Sequence, residues 1–120
     1  MEEFLANLPM PAYHERTRLI DIDGTVITHE KAPDDYHKAK ALPGAVETVN
    51  KWYDQGDYIV FFTGREEIMR TFTERYLKKL GFKFHRIIFD KPYTGELIFY
   101  DDRDIKAIQV ERDIGIAAVD

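Results

Sequence analysis

The sequence predicts an α/β fold: a five-stranded, mainly parallel sheet with helices on both faces. Three observations carry this. Short apolar runs recur along the chain, amphipathic segments lie between them, and the connections are short. Polar residues suited to chemistry also follow directly after the apolar runs, where open α/β sheets place their ligands.

The elements follow in order. Thr17–Ile22 reads as the first strand. Before it, a short helix is expected over Glu2–Leu8, broken by Pro9 and Pro11, with a packing role. Residues 26–43 are polar and without strong period, a flap or loop with Thr28–Asp35 at its centre. After Gly44, the residues Ala45, Val46, Val49, Trp52 and Tyr53 recur at three and four, as an amphipathic helix requires, and Gly56 stops it. Tyr58–Phe62 is the second strand. A helix over Glu66–Leu80 places Met69, Phe72, Tyr76 and Leu80 on one face and ends at Gly81. His85–Phe89 and Glu96–Tyr100 are the third and fourth strands. A shorter helix is expected over Arg103–Arg112, then Gly115, then a fifth strand over Ile116–Val119.

Composition sets bounds on function. The 120 residues make one domain, with 44% hydrophobic and 13% aromatic content, as in a globular chain. There are no cysteines, which excludes disulfides, thiolate metal sites and cysteine nucleophiles. No apolar run reaches the length of a membrane span and no signal pattern opens the chain, so a cytoplasmic address is the default expectation. The net charge of −5 disfavours a surface built for nucleic acid, although part of that acidity belongs to the carboxylates singled out below. No membrane partner is expected.

The most informative segment is Asp21-Ile22-Asp23-Gly24-Thr25, directly after Leu19-Ile20. Side chains alternate along a strand, so two carboxylates two residues apart point the same way. Gly24 permits a sharp turn, and the Thr25 hydroxyl can fix it. Such a tip can present a carboxylate nucleophile and an acid/base, and can offer oxygens to a divalent cation. Three further segments follow strand ends: Thr63-Gly64-Arg65, Lys91-Pro92 and Asp101-Asp102.

In this order the four segments resemble the motifs of the haloacid dehalogenase (HAD) superfamily of aspartate-nucleophile phosphohydrolases, over about Arg18 to Val119. The resemblance implies a Rossmann-like sheet of spatial order 5-4-1-2-3. It implies that Asp21 is the nucleophile that forms an aspartyl-phosphate, and that Asp23 is the general acid/base. Thr63 would donate to a phosphoryl oxygen, near the free N–H groups of a helix start, and Lys91 would balance the intermediate's charge. Thr63, Gly64, Arg65 and Lys91 are the expected substrate-binding residues. Asp101 and Asp102, with Asp21 and the Asp23 backbone carbonyl, would make an oxygen shell suited to Mg2+. For Arg65 two roles are open: a planar guanidinium on the substrate phosphate, or a surface ion pair with Glu66 or Glu67. Asp102 could alternatively cap the following helix.

Neither 26–43 nor 90–95 is long enough to form a cap domain. The chain therefore resembles the capless subgroup, whose open sites suit bulky substrates or a homo-oligomer that supplies a lid. The expected substrate is a small phosphorylated metabolite or sugar phosphate, with a polynucleotide 3′-phosphatase as the alternative. Two other classes stand beside these: a non-catalytic phosphate- or partner-binding module, and a receiver-like or dinucleotide-binding α/β domain, which would lack DxDGT after the first strand. The four histidines show no metal-ligand spacing, and Tyr36, Phe62 and Tyr93 read as packing.

Overall fold

The computed structural model describes residues 13–120, so the helix expected over Glu2–Leu8 lies outside the described residues. Three strands, β1 (Thr17–Ile20), β2 (Tyr58–Phe62) and β3 (Arg86–Ile88), form a parallel sheet in the order β1-β2-β3. Ile20 lies opposite Phe61, and Phe61 opposite Ile87, so the three strands finish level at one edge. The central strand explains this arrangement. Ile59, Val60 and Phe61 are all buried, a continuous apolar run that needs cover on both faces. Phe61 meets the edges of the Phe82 and Phe84 rings.

Two helices connect the strands. Helix α1 (Ala45–Asp54) starts after Gly44, which sits at φ 75°, and buries Ala45, Thr48, Val49 and Trp52. Helix α2 (Arg70–Leu80) is preceded by a 3-10 turn, Glu67–Met69, and ends at Gly81 at φ 104°. Its buried residues are Thr73 and Leu77, with Tyr76 and Leu80 half-buried and Phe72 left outside. The face is thus turned from the apolar stripe the spacing predicts. The cause is Arg65, whose guanidinium donates to the Thr73 hydroxyl at 3.1 Å and draws that threonine inward.

The second half of the chain departs from expectation. Residues 96–100 and 103–112 carry no regular structure, and Ile116–Val119 forms a 3-10 turn in place of a fifth strand. The five-strand order is therefore not formed among the described residues. Leu97, Ile98, Phe99 and Tyr100 are exposed, as are Ile105 and Ile108. An apolar run becomes a strand only when a neighbour pairs it and covers its faces. A ten-residue amphipathic segment with no surface to pack on is likewise marginal as a helix. The terminal turn is instead anchored by Ile116, which is buried in the core while its N–H donates to the Thr25 carbonyl at 2.9 Å. No helix among the described residues is long and apolar enough to cross a membrane.

At the amino-terminal end of the sheet, Asp57 is buried and accepts from Arg18 Nε at 2.8 Å, while Arg18 lies 3.9 Å over the Trp52 ring. Asp57→Ala leaves that guanidinium without its carboxylate. The expected loss is about 2 kcal/mol of unfolding free energy, read from urea denaturation; an unchanged midpoint would show that the pair contributes nothing.

His85 stacks between Tyr53 and Tyr58, and its Nδ1 accepts the Ile59 N–H at 2.9 Å, which requires that nitrogen to be unprotonated. Burial, and then the nearby His14, hold its pKa below the ordinary 6.5. The unfolded chain thus takes up a proton more readily than the folded one. This stability is fully present above pH 6.5 and is lost as pH falls below it. The melting temperature should therefore drop between pH 7.5 and 5.5, with a shallower drop in His85→Gln; an equal slope in both proteins removes His85 as the cause.

Candidate functional site

Because the strands end level, the segments after β1, β2 and β3 emerge side by side. After β1 the chain turns at Gly24, at φ 87°, with the N–H groups of Thr25, Val26 and Ile27 all donating to the Ile22 carbonyl. A side chain at Gly24 would be strained by that φ and would come within 3.0 Å of Arg112 Cγ. The turn leaves Ile22 buried and puts Asp21 and Asp23 at the rim.

The tips of β2 and β3 are tied together. Thr63 N–H donates to the Ile88 carbonyl, Lys91 N–H to the Thr63 carbonyl and Asp90 N–H to the Arg65 carbonyl, each at 2.9 Å. Asp90 takes a left-handed conformation, φ 60°, which the short polar side chain of aspartate tolerates. This turn sends Lys91 back across the site. Its Nζ reaches Asp21 Oδ1 at 2.7 Å and the Phe62 carbonyl at 3.3 Å. The other oxygen of Asp21 accepts from the Thr25 hydroxyl at 2.9 Å.

Asp23 is held by a different cation. Arg65 donates to it through two nitrogens, at 2.7 and 2.9 Å, and through a third to Thr73. The Arg65 side chain is only 1% exposed. It forms no ion pair with Glu66 or Glu67; its donors are directed inward to Asp23 and Thr73. A planar fork of donors matched to a carboxylate explains why arginine can be buried here. Thr63 is buried too, and its hydroxyl oxygen accepts the Arg65 N–H at 3.1 Å, closing the turn into Gly64. Gly64 is exposed, and a Cβ added there would meet the Lys91 carbonyl at 3.9 Å.

Asp21, Asp23, Thr63, Gly64, Arg65 and Lys91 thus gather at one edge. Asp101 and Asp102 do not join them. Both are exposed, and Asp101 accepts from Arg103 at 2.9, 3.1 and 3.0 Å. The Arg103 side chain and then its backbone N–H hold the Asp101 carboxyl well below the usual carboxylate range. No group of three or more acidic or histidine side chains among the described residues could hold a metal. The Mg2+ shell expected of Asp21, Asp23, Asp101 and Asp102 is therefore not assembled, because the two pairs sit on segments that do not meet.

Four residues without a local motif complete the site. Gln109, Val110, Glu111 and Arg112 line, together with Asp21, Asp23, Gly24 and Thr25, a cavity of about 460 Å³. They are placed by the Asp113 N–H, which donates to the Gly24 carbonyl at 2.8 Å, while Asp113 Oδ1 accepts the His29 N–H at 2.8 Å. Tyr36 is a further addition. Its ring lies 3.8 Å from the Arg65 guanidinium carbon, so it is a stacking platform for a cation and not simple packing. Burial, and then the charge of Asp23, hold its phenol above the ordinary pKa. Tyr93, by contrast, is fully exposed.

None of the curated proteins matches this chain. Two solved structures share its fold. One is a Vibrio cholerae protein solved as an MCSG target, with 23% identity and a TM-score of 0.54, covering 72% of this chain and 79% of that one. The other is a chain of the Pnkp1/Rnl/Hen1 complex, with 19% identity and a TM-score of 0.55, covering 68% of this chain and 30% of that one. The family model described as PITM 1-3, LNS2 domain, matches residues 19–119. The chain therefore belongs to the LNS2 domain family, a phosphatase-type domain.

Proposed function

We propose that this protein is a phosphomonoester hydrolase that works through an aspartyl-phosphate on Asp21 and acts on a small phosphorylated metabolite such as a sugar phosphate. One observation carries the reading. Two carboxylates and two cations meet at a single sheet edge, with the Asp21 carboxylate on the wall of a cavity of about 460 Å³. That volume lies within the range of small-molecule sites.

The chemistry follows from the residues. An Asp21 oxygen attacks phosphorus, the bond to the ester oxygen breaks, and that oxygen takes a proton from Asp23 as it leaves. Water, deprotonated by Asp23, then attacks phosphorus and releases inorganic phosphate with Asp21 restored. Lys91 Nζ, already on Asp21, lies where negative charge accumulates on the phosphoryl oxygens. Thr25 fixes the Asp21 carboxylate so that attack needs little reorganisation. Arg112, on the lining of the same cavity beside Gly24, draws the anionic substrate in.

A second reading is favoured by one specific observation, the separation of Asp101 and Asp102 from Asp21 and Asp23. In that reading the edge binds a phosphorylated ligand without turning it over.

One assay separates the two. Phosphate release is measured from p-nitrophenyl phosphate, sugar phosphates, nucleotides and a 3′-phosphorylated oligonucleotide, with Mg2+ in the buffer. Wild type should turn over, and Asp21→Asn should lose at least about 10³-fold in kcat with its melting temperature near wild type. Asp23→Asn should lose about 10²- to 10⁴-fold. Turnover retained in Asp21→Asn would overturn the nucleophile. A folded wild type that binds phosphate with no turnover would establish the second reading.

A further inference from the structure

We infer that Tyr36 and Arg65 act together as positioning residues that hold the Asp23 carboxylate in one orientation for proton transfer. The inference rests on the phosphomonoesterase reading above and adds a function for the segment that stands in place of a cap.

Arg65 presents a flat fork to Asp23, at 2.7 and 2.9 Å, and its remaining nitrogen is pinned by Thr73 of α2 at 3.1 Å. Those contacts lie in the guanidinium plane and leave its face uncovered. Tyr36 covers that face, with the ring centre 3.8 Å from the guanidinium carbon. An aromatic ring there attracts the cation and holds the plane of its fork, and with it the carboxylate the fork grips, in one orientation.

The platform is itself fixed. Tyr36 sits in the 3-10 turn Pro33–Lys38, which begins with a proline. The Tyr76 hydroxyl, projecting from α2, donates to the carbonyls of His37 and Ala39 on the far side of that turn. Where the segment returns, Thr28 N–H donates to the Lys40 carbonyl at 2.8 Å and Lys40 N–H to the Thr28 hydroxyl at 3.0 Å. A segment closed at its base and tied at its crest can hold a ring in place with little further loss of entropy.

The chemical consequence is specific. An acid that protonates the leaving oxygen matters most when that oxygen is a poor leaving group. A loosened Asp23 should therefore slow phenyl phosphate much more than p-nitrophenyl phosphate, whose leaving group needs little protonation. A merely structural defect would slow both alike.

The test compares kcat and KM for the two esters in wild type, Tyr36→Ala, Tyr36→Phe, Arg65→Lys and Asp23→Asn. Tyr36→Ala should lower kcat/KM, which reports only the step in which the ester oxygen leaves, by about tenfold for phenyl phosphate and by about twofold or less for p-nitrophenyl phosphate. Arg65→Lys, which loses the fork, should show the same bias more strongly. Tyr36→Phe keeps the ring and should restore the wild-type ratio of the two esters. Equal losses of kcat/KM on both esters would overturn the inference. A second measurement does not need turnover: the arginine Nε–H resonance of Arg65 should exchange slowly with water in wild type and Tyr36→Phe and be lost in Tyr36→Ala. An unchanged resonance in Tyr36→Ala would also overturn it. Failure of the enzyme reading is seen separately, as a folded wild type that binds phosphate but turns over neither ester.

Discussion

The buried guanidinium of Arg65 constrains more of this molecule than any other group. A charge withdrawn from water costs several kcal/mol unless its donors are matched, and removing one partner of such a pair costs about 3–5 kcal/mol. Arg65 is matched on every side: Asp23 takes two donors, Thr73 takes a third, Tyr36 covers the face and Thr63 takes the backbone N–H. Those partners come from the turn after β1, the loop over 28–41, the end of β2 and helix α2. One side chain thereby fixes the relative placement of four segments. It also decides which face α2 buries, since Thr73 and not Phe72 must point inward.

The charge pattern at the edge follows from the same principle. Asp21 and Asp23 lie two residues apart on a short turn, and two unscreened carboxylates so placed would repel. Each has its own cation, Lys91 for the first and Arg65 for the second. The two cations differ in kind, and the difference suits the roles proposed for their partners. Lys91 is a point charge on a flexible four-carbon stem at a partly open position; Arg65 is a planar, enclosed fork suited to orient its partner. A nucleophile needs a counter-charge that can be shared with substrate, whereas an acid/base needs a fixed direction.

The first half of the fold was legible in the sequence because its signals are local. β2, α1 and the two helix-ending glycines Gly56 and Gly81 follow from periodicity and from positions that demand positive φ. The cluster of Asp21, Thr63 and Lys91 was legible as well, since parallel strands that end level must bring such residues together. Arg65 was only half legible. A guanidinium after a strand suits a phosphate, but nothing local shows that Asp23 lies within its reach, 42 residues earlier in the chain. Tyr36 and Arg112 were not legible at all, because each belongs to an irregular segment whose path is set by distant hydrogen bonds, from Tyr76 in one case and around Asp113 in the other.

The missing strand and the missing metal shell have one physical cause. Asp101 and Asp102 stand at the end of the apolar run Leu97–Tyr100, so their distance from Asp21 depends on whether that run pairs beside β1. β1 lies at the border of the sheet, and Leu97–Tyr100 is exposed. With the run unpaired, Asp101 finds its counter-charge two residues away in Arg103, a local contact that needs no fold to form. The chain then returns to the sheet only at Asp113 and Ile116, bringing Gln109–Arg112 to the cavity wall that a fourth strand end would otherwise occupy. Arg112 and Glu111 thereby share the cavity lining with Asp21, so the same departure that leaves the apolar run uncovered also sets the charge of the cavity.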